Sequence, residues 1–535
     1  MNDFSNAWYA AVKDPKAAQA RARRQAKREA TVVAEEPMNN VLGPSPPAPR
    51  AAGTIKSPDE GRRSLWPARS RFVVTCAQNN TLLHENFWQS LTRFCEKTNA
   101  QLMVSRFTYN KAEWKRQGGV SKDDTNETYD SDEIWFDPRI LPYVMDEQVK
   151  LAPDLVFCAE LDILPTAALP LSTLTSYTGP NSGIVPHVKV HMQSIATMKN
   201  LDTKFMYTTG TVTQRNYIQR KLGQVATFHH TFGALLVEVL ENGQWFVRQL
   251  ISDDNGVFFD VDRAYGAGWD QPSGMLGNTT VTLGDIHIEK KDDQALLTAV
   301  DMVQTVAPSH VFVHDLVDFR ARNHHNVNDP HFLAKMAAAG TDTVEGDMKA
   351  GAQFLRNLLQ DTTANIFVIR SNHDDALTKW LKDDRGHMDP QNSYYWHLLN
   401  WRVLQAIRES NDTFDVFIDA VRSDLVSMGV HSDRIRFWKQ DVSLLVNGIE
   451  HGMHGHLGAN GAKGNPNTFR KLGQKSNTAH THSASITDGA WVAGVLGSLD
   501  MDYNAGLGGW SHSNIVTYPN GKRCMITQRG DRWRA

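Results

Sequence analysis

Side chains of the types that hold divalent cations recur where apolar, strand-like runs end: Asp285, His287, Asp315, Asn372, a histidine cluster at His451, His454 and His456, and then His480 and His482. Asp285 and His287 are two apart on an extended segment and so share a face; His480 and His482 repeat that geometry near the other end of the chain. Carboxylate, amide and imidazole without thiolate suit borderline or hard divalent ions that promote hydrolysis, such as Mn²⁺, Fe²⁺ or Zn²⁺. One such residue alone is more often a hydrogen-bonded loop residue than a ligand. The weight lies in their recurrence at successive strand ends.

The elements that must position them follow an α/β rhythm from about Thr279 onward. Val281–Leu283 leads into Gly284-Asp-Ile-His287, and His310–Val313 into His314-Asp-Leu-Val-Asp318. Asn365–Ile369 leads into Ser371-Asn-His-Asp374, with helical spacing at Leu296, Val300 and Val303 and over Met348–Leu359. Open α/β sheets place their sites at the C-terminal edge of the strands, which is where these residues fall. The chain ends in a hairpin, Ile515–Tyr518 and Arg523–Thr527, turned by Asn520-Gly521. Upstream, Arg71–Cys76, Leu83–Cys95 and Gln101–Ser105 read as a βαβ unit, and runs at Asp154–Cys158, Lys204–Thr208, Ala234–Leu240, Trp245–Leu250 and Gly256–Asp262 as further strands. Lys122–Asp137 is acidic and reads as an exposed loop.

Residues 1–68 differ from the rest. Lys13–Ala30 is an alanine-rich basic helix candidate and Gly43–Pro49 is proline-rich, so the segment is expected to be a disordered, solvated arm. The resulting division is an arm at 1–68, an α/β domain of unassigned role at 69–275 and a site-bearing domain at 276–535. Composition narrows the classes further. Of 535 residues, 41% are hydrophobic and 21% charged, a globular balance, and 56 basic against 59 acidic residues exclude a nucleic-acid clamp that is basic throughout. Cys76, Cys95, Cys158 and Cys524 are too scattered for a thiolate zinc site or a disulfide scaffold and read as reduced thiols. No signal-like start or membrane-length apolar run is present, so a cytoplasmic protein without membrane association is expected.

The ordered blocks D-x-H, D-x-x-D, N-H-D, H-G and H-x-H resemble the calcineurin-like metallophosphoesterases. They stand here as Gly284-Asp-Ile-His287, His314-Asp-Leu-Val-Asp318, Ser371-Asn-His-Asp374, His454-Gly455 and Ala479-His-Thr-His482. His314, Ser371 and Ala479 replace the glycines usual in that family, each a turn residue rather than a ligand. The resemblance implies a β-sandwich flanked by helices in four αββα layers over 276–535, and two divalent ions, Mn²⁺ favoured. Asp285, His287 and His482 would hold one ion, Asn372, His454 and His480 the other, and Asp315 would bridge them. His454 is taken ahead of His451, which also precedes a glycine, because Gly448–Gly452 reads as a continuing strand. His373 would act as general acid or transition-state stabiliser, oriented by Asp374. Arg320, His324 and His325 would hold substrate phosphates, and the glycine-rich cationic stretch Asn460–Lys475 offers a further backbone-contacting loop.

Protein phosphatases of that family follow the second block with Asp-Arg-Gly and close the third with Asn-His-Glu. Asp318-Phe-Arg320 and Asn372-His-Asp374 direct the resemblance instead to phosphodiesterases and nucleases. In the front half, Thr75–Asn80, Leu164–Leu169, Tyr207–Thr213 and Phe228–Gly233 resemble tailed-phage metallophosphoesterases with an added N-terminal domain, some linked to DNA transfer or host-DNA breakdown. Thr208–Thr213 and the pair His229-His230 are read as structural. The expected function is phosphodiester hydrolysis with DNA as substrate, in the host cytoplasm if the chain is phage-encoded, with a homo-oligomer compatible with the sequence. The alternatives are a phosphatase or small-nucleotide phosphodiesterase and, in another class, a non-catalytic phage structural or interaction protein.

Overall fold

Short apolar runs closed by polar turns build a mixed α/β protein with four sheets in the computed structural model, which describes residues 63–109, 134–320, 322–323, 326–440, 442–501 and 504–535. A six-stranded sheet carries most of the expected site. Its strands run in the order Ile435–Trp438, Asn365–Ile369, His310–Val313, Thr280–Thr282, Ser513–Thr517 and Arg523–Thr527. The first four are parallel and the last two form the antiparallel hairpin. Side chains alternate between its faces, as the period of a strand requires. Val281, Val311, Val313, Ile366 and Val368 pack with the helices Asp293–Val306, Val344–Asp361, Ser393–Arg408 and Val416–Ser427. Phe312, Phe367 and Ile369 point the other way, toward Leu444 and Val446.

The helices are legible from the same logic. In Asp293–Val306 the buried positions Ala295, Ala299, Met302, Val303 and Val306 make one apolar stripe. Asp292 caps its start by accepting from the Ala295 N–H, and Ala307 ends it in a left-handed turn with φ of 48°.

An 11-stranded sheet covers the other face. From Arg63–Ser64 it passes through Gln148–Ala152, Leu155–Cys158, Ser182–Val185, Lys204–Thr208 and Met192–Ile195, then into Ser485–Thr487, Ala490–Val492, Ser476–Thr478, Ile449–Glu450 and Leu445–Val446. Ile515 and Met525 of the six-stranded sheet share a core with Ile486 and Trp491 of this one and with Phe157 and Tyr207 from the front half. The strands Met192–Ile195 and Ser485–Thr487 pair antiparallel, so strands on both sides of residue 275 belong to one sheet. Residues 58–535 accordingly cluster as one unit. The βαβ unit is present: Arg71–Gln78 and Gln101–Phe107 are parallel neighbours, joined by Glu85–Thr98, in a four-stranded sheet with Gly233–Val239 and Trp245–Ile251.

Three differences from the sequence reading have clear causes. Structure is already present ahead of Arg71, where Leu65 and Trp66 pack on the core and the Leu65 N–H donates to Lys150 O (3.0 Å); residues 1–62 of the expected arm lie outside the described residues. Of the acidic stretch 122–137, only 134–137 is described, and there Asp137 is buried, accepting from the Leu83 and Arg139 N–H groups. The strand Ser476–Thr478 is wholly buried yet polar, which hides it from a hydrophobicity search. Its Asn477 donates through Nδ2 to Thr282 Oγ1 (3.3 Å) and Thr517 Oγ1 (3.0 Å) and accepts from Arg523 Nη1 (2.9 Å). No described helix is long and apolar enough to cross a membrane, and the four cysteines are buried and form no disulfide. Replacing Asn477 with Ala strands these buried partners. It should lower unfolding stability by about 1–3 kcal/mol, read from urea midpoints.

Candidate metal centre

The parallel pairing of the six-stranded sheet continues past its strand ends, and this brings the ligand candidates together. Leu283, Ile286 and His287 donate their N–H groups to Phe312 O (3.0 Å), His314 O (3.0 Å) and Asp315 O (2.8 Å), so the two loops stay in register as they leave the sheet. Asp285 is gripped from the opposite side by Gly494 O (3.1 Å) and the Leu496 N–H (2.7 Å). Gly284 is required there, because a Cβ would lie 2.8 Å from Val495 N and 2.9 Å from Gly494 C. The 11-stranded sheet delivers the rest: His480 and His482 follow Ser476–Thr478, and His454 lies beyond Ile449–Glu450. Gly455, with φ of 116°, makes the turn after His454 that a side chain would obstruct.

The structure assembles all seven candidates. Asp285, His287, Asp315 and His482 offer ligand atoms within 4.8 Å of one another, as do Asp315, His454 and His480, and Asp315 belongs to both groups. Asn372 joins the second through its Oδ1, 3.1 Å from His454 Nε2. His454 Nε2 and His287 Nε2 approach Asp315 Oδ2 at 3.3 and 3.5 Å, and His482 Nε2 approaches Asp285 Oδ2 at 3.1 Å. His287, Asp315, His480 and His482 all adopt left-handed backbone, with φ of 45°, 42°, 73° and 57°. Such conformations cost on the order of 1–3 kcal/mol each in non-glycine residues and persist where the surroundings impose them, as at functional sites. His314, Ser371 and Ala479 have no such φ, so the family's glycines are not needed at those positions.

The donor chemistry fits a cation. Asp285, His287, Asp315 and His454 are no more than 2% exposed, and Asp285 Oδ1 and Asp315 Oδ1 are buried with no hydrogen-bond partner. Burial alone would disfavour the Asp315 carboxylate, but His454, His373 and His287 outweigh it and hold its pKa well below the usual range. Burial likewise opposes charging of His454, yet Asp315 and Asp285 push its pKa up to about 9. At His480 burial and the neighbouring His454 outweigh Asp315, and its pKa is pulled down to about 3. These clustered buried carboxylates and imidazoles are groups that could hold a metal ion.

His451 sits elsewhere. Its ring stacks on Phe312 at 4.0 Å and its Nδ1 lies 3.3 Å from Thr282 Oγ1, so it is a core residue. His373 is beside the cluster, with its ring 4.7 Å from that of His287. Its expected orienter is corrected. The Asp374 carboxylate is buried without a hydrogen-bond partner, whereas His373 Nδ1 lies 2.9 Å from Asp318 O and 3.4 Å from Asp318 Oδ1. Asp318 Oδ1 also lies 3.1 Å from His287 Nδ1. A sequence signal for Asp318 existed, as the last residue of the second block, but it carried no assigned partner. Burial opposes protonation of His373, and Asp315 and Asp318 more than compensate, raising its pKa.

Of the expected phosphate-holding residues, only Arg320 is among the described ones. Arg320 Nη1 donates to Glu289 O (3.4 Å), which engages it with the loop after His287, and His324 and His325 lie outside the described residues. Within Asn460–Lys475, the Gly464 N–H donates to His456 O (2.9 Å), tying that stretch to the His454 loop. The threonines at 208, 209 and 211 donate to main-chain carbonyls, and His230 is buried between Tyr217 Oη (2.6 Å) and Thr213 O (3.0 Å). His229 faces Asp488 at 3.5 Å.

Comparison with known proteins gives one informative result. The chain is 40% identical over 495 residues to Protein A1 of Escherichia phage T5, covering 89% of this chain and 85% of that protein. It belongs to that protein's family. No family model matches the chain, and no solved structure matches it.

Asp315→Ala should abolish tight divalent-metal retention in elemental analysis, whereas His451→Ala should retain metal and lose only stability. Mn²⁺ at 100 times its dissociation constant should stabilise the wild type by about 2.7 kcal/mol, read as a rise in melting temperature that EDTA reverses.

Proposed function

We propose that this member of the protein A1 family is a metal-dependent phosphodiester hydrolase of the calcineurin-like metallophosphoesterase superfamily, phage-encoded and acting on DNA. The observation that carries this reading is the sharing of Asp315 between two ligand groups. Asp285, His287 and His482 would complete one position and Asn372, His454 and His480 the other. Two divalent ions, Mn²⁺ favoured, would supply charge neutralisation for the phosphate and a water of lowered pKa. The six-stranded sheet lying against a second sheet, with helices on its outer face, is compatible with the layered sandwich of that superfamily.

The chain's own residues supply orientation and a proton. Hydrolysis breaks one P–O bond and adds water across it, so the departing oxygen must gain a proton. His373 lines a cavity together with Asn372, and its Nδ1 is engaged by Asp318, which leaves Nε2 to serve the leaving group. Asp318 fixes His287 through the opposite nitrogen from the one facing Asp315, the arrangement that sets the tautomer of a metal-binding imidazole. Phosphodiesters are favoured over monoesters by Asp318-Phe-Arg320 and Asn372-His-Asp374, which depart from the protein-phosphatase pattern.

The test is hydrolysis with Mn²⁺ of linear and circular DNA beside bis-p-nitrophenyl phosphate and p-nitrophenyl phosphate. Cleavage of DNA and the diester is expected; cleavage of the monoester alone would make the protein a phosphatase, and cleavage of none would leave the non-catalytic alternative. His373→Ala should keep its metal content and lose about two to four orders of magnitude in rate. Equal metal loss in His373→Ala and Asp315→Ala would contradict the roles given to them.

A further inference from the structure

The cavity that reaches His373 continues past it. It has a volume of about 220 Å³ and is lined by Arg322, Asn323, Val327, Asn372, His373 and Lys379, among others. A second cavity of about 450 Å³ shares Arg322, Val327, Trp380 and Asp383 with it and extends to Arg385 and Gln391. Together they form a trough leading away from the metal centre along the helix Asp374–Leu381.

Most charges in the trough are already matched. Arg322 is held by Asp342 and Asp389, each at 2.6 Å, and Asp383 by Arg385 at 2.6 Å. Lys379 is different: it is exposed and forms no ion pair among the described residues. It lies five residues into a helix that starts at Asp374, about 7.5 Å along the axis. An unmatched ammonium therefore stands over a trough that opens at His373.

We propose that Lys379 holds a phosphate of the substrate strand next to the phosphate being hydrolysed, with the wall of Asn323, Val327 and Trp380 seating the nucleoside between them. This rests on the hydrolase reading above and narrows its substrate class to strands with at least two consecutive phosphodiesters. A lysine presents a mobile point charge to a phosphate and reads no base, so the contact favours polymer over small ester without sequence preference.

The experiment compares wild type, Lys379→Ala and Lys379→Arg with Mn²⁺ on a DNA oligonucleotide and on bis-p-nitrophenyl phosphate, over a range of salt. Lys379→Ala should lower the ratio of kcat/KM for DNA to kcat/KM for the small diester on the order of tenfold, the scale of one lost charge-assisted contact. The salt slope for DNA should fall by about one, and Lys379→Arg should restore most of both. A ratio and salt slope equal to wild type, or an equal loss on both substrates, would overturn the role of Lys379 and leave the hydrolase reading standing. Wild-type protein that cleaves neither substrate would overturn that reading itself, and this inference with it.

Discussion

A carboxylate at the bottom of the molecule organises everything around it. Asp315 is 1% exposed, its Oδ1 has no hydrogen-bond partner, and the imidazoles of His287 and His454 approach its Oδ2 from two sides. A buried charge carries a desolvation penalty of several kcal/mol unless compensated. The compensation arrives from segments that are far apart in sequence, through His287, His373 and His454. Much of the fold can be understood as the framework that makes those segments meet. The extended parallel ladder carries Asp285 and His287 past Asp315, and the glycines at 284 and 455 admit close main-chain approach and a sharp turn.

The candidate ligands and their strand-end positions were legible because strand ends in an α/β sheet are marked by the switch from apolar to polar residues. His310–Val313 and Asn365–Ile369 are found at the expected residues for that reason. His454 falls in the cluster, whereas His451 lies against Phe312 in the core. Other features were not written in local pattern. The strand Ser476–Thr478, which launches His480 and His482, is polar and buried, so its placement depends on Asn477 meeting Thr282, Thr517 and Arg523, partners up to 195 residues away. Asp374 was the natural neighbour to assign to His373, yet a helix begins at Asp374 and its carboxylate has no hydrogen-bond partner. Adjacency in sequence did not become adjacency of side chains.

The front of the chain is also more closely involved than a linear division suggests. Ser485 and Ile486 pair with Gln193 and Met192, and the Ser194 hydroxyl donates to Ala484 O (2.6 Å). The segment just after His482 is thus fixed by strands from the front half. Trp510, whose ring lies 4.3 Å from that of His482, has its carbonyl bonded by Thr203 Oγ1 (2.6 Å). Geometry at the histidines consequently depends on residues that contribute no ligand.

Asp318 shows why such support matters chemically. Its carboxylate meets Nδ1 of His287, and both its carboxylate and its carbonyl meet Nδ1 of His373. Its own position is set by Glu289, which accepts the N–H groups of Asp318 (2.6 Å) and Phe319 (2.9 Å), and by Lys290 Nζ at 3.4 Å. One side chain thereby fixes an imidazole that faces Asp315 and another that faces the trough. Moving it would disturb both together, so the imidazoles of His287 and His373 are coupled through a residue that belongs to neither of the two groups sharing Asp315. The orientation of each histidine follows from the other's, because both answer to the same carboxylate.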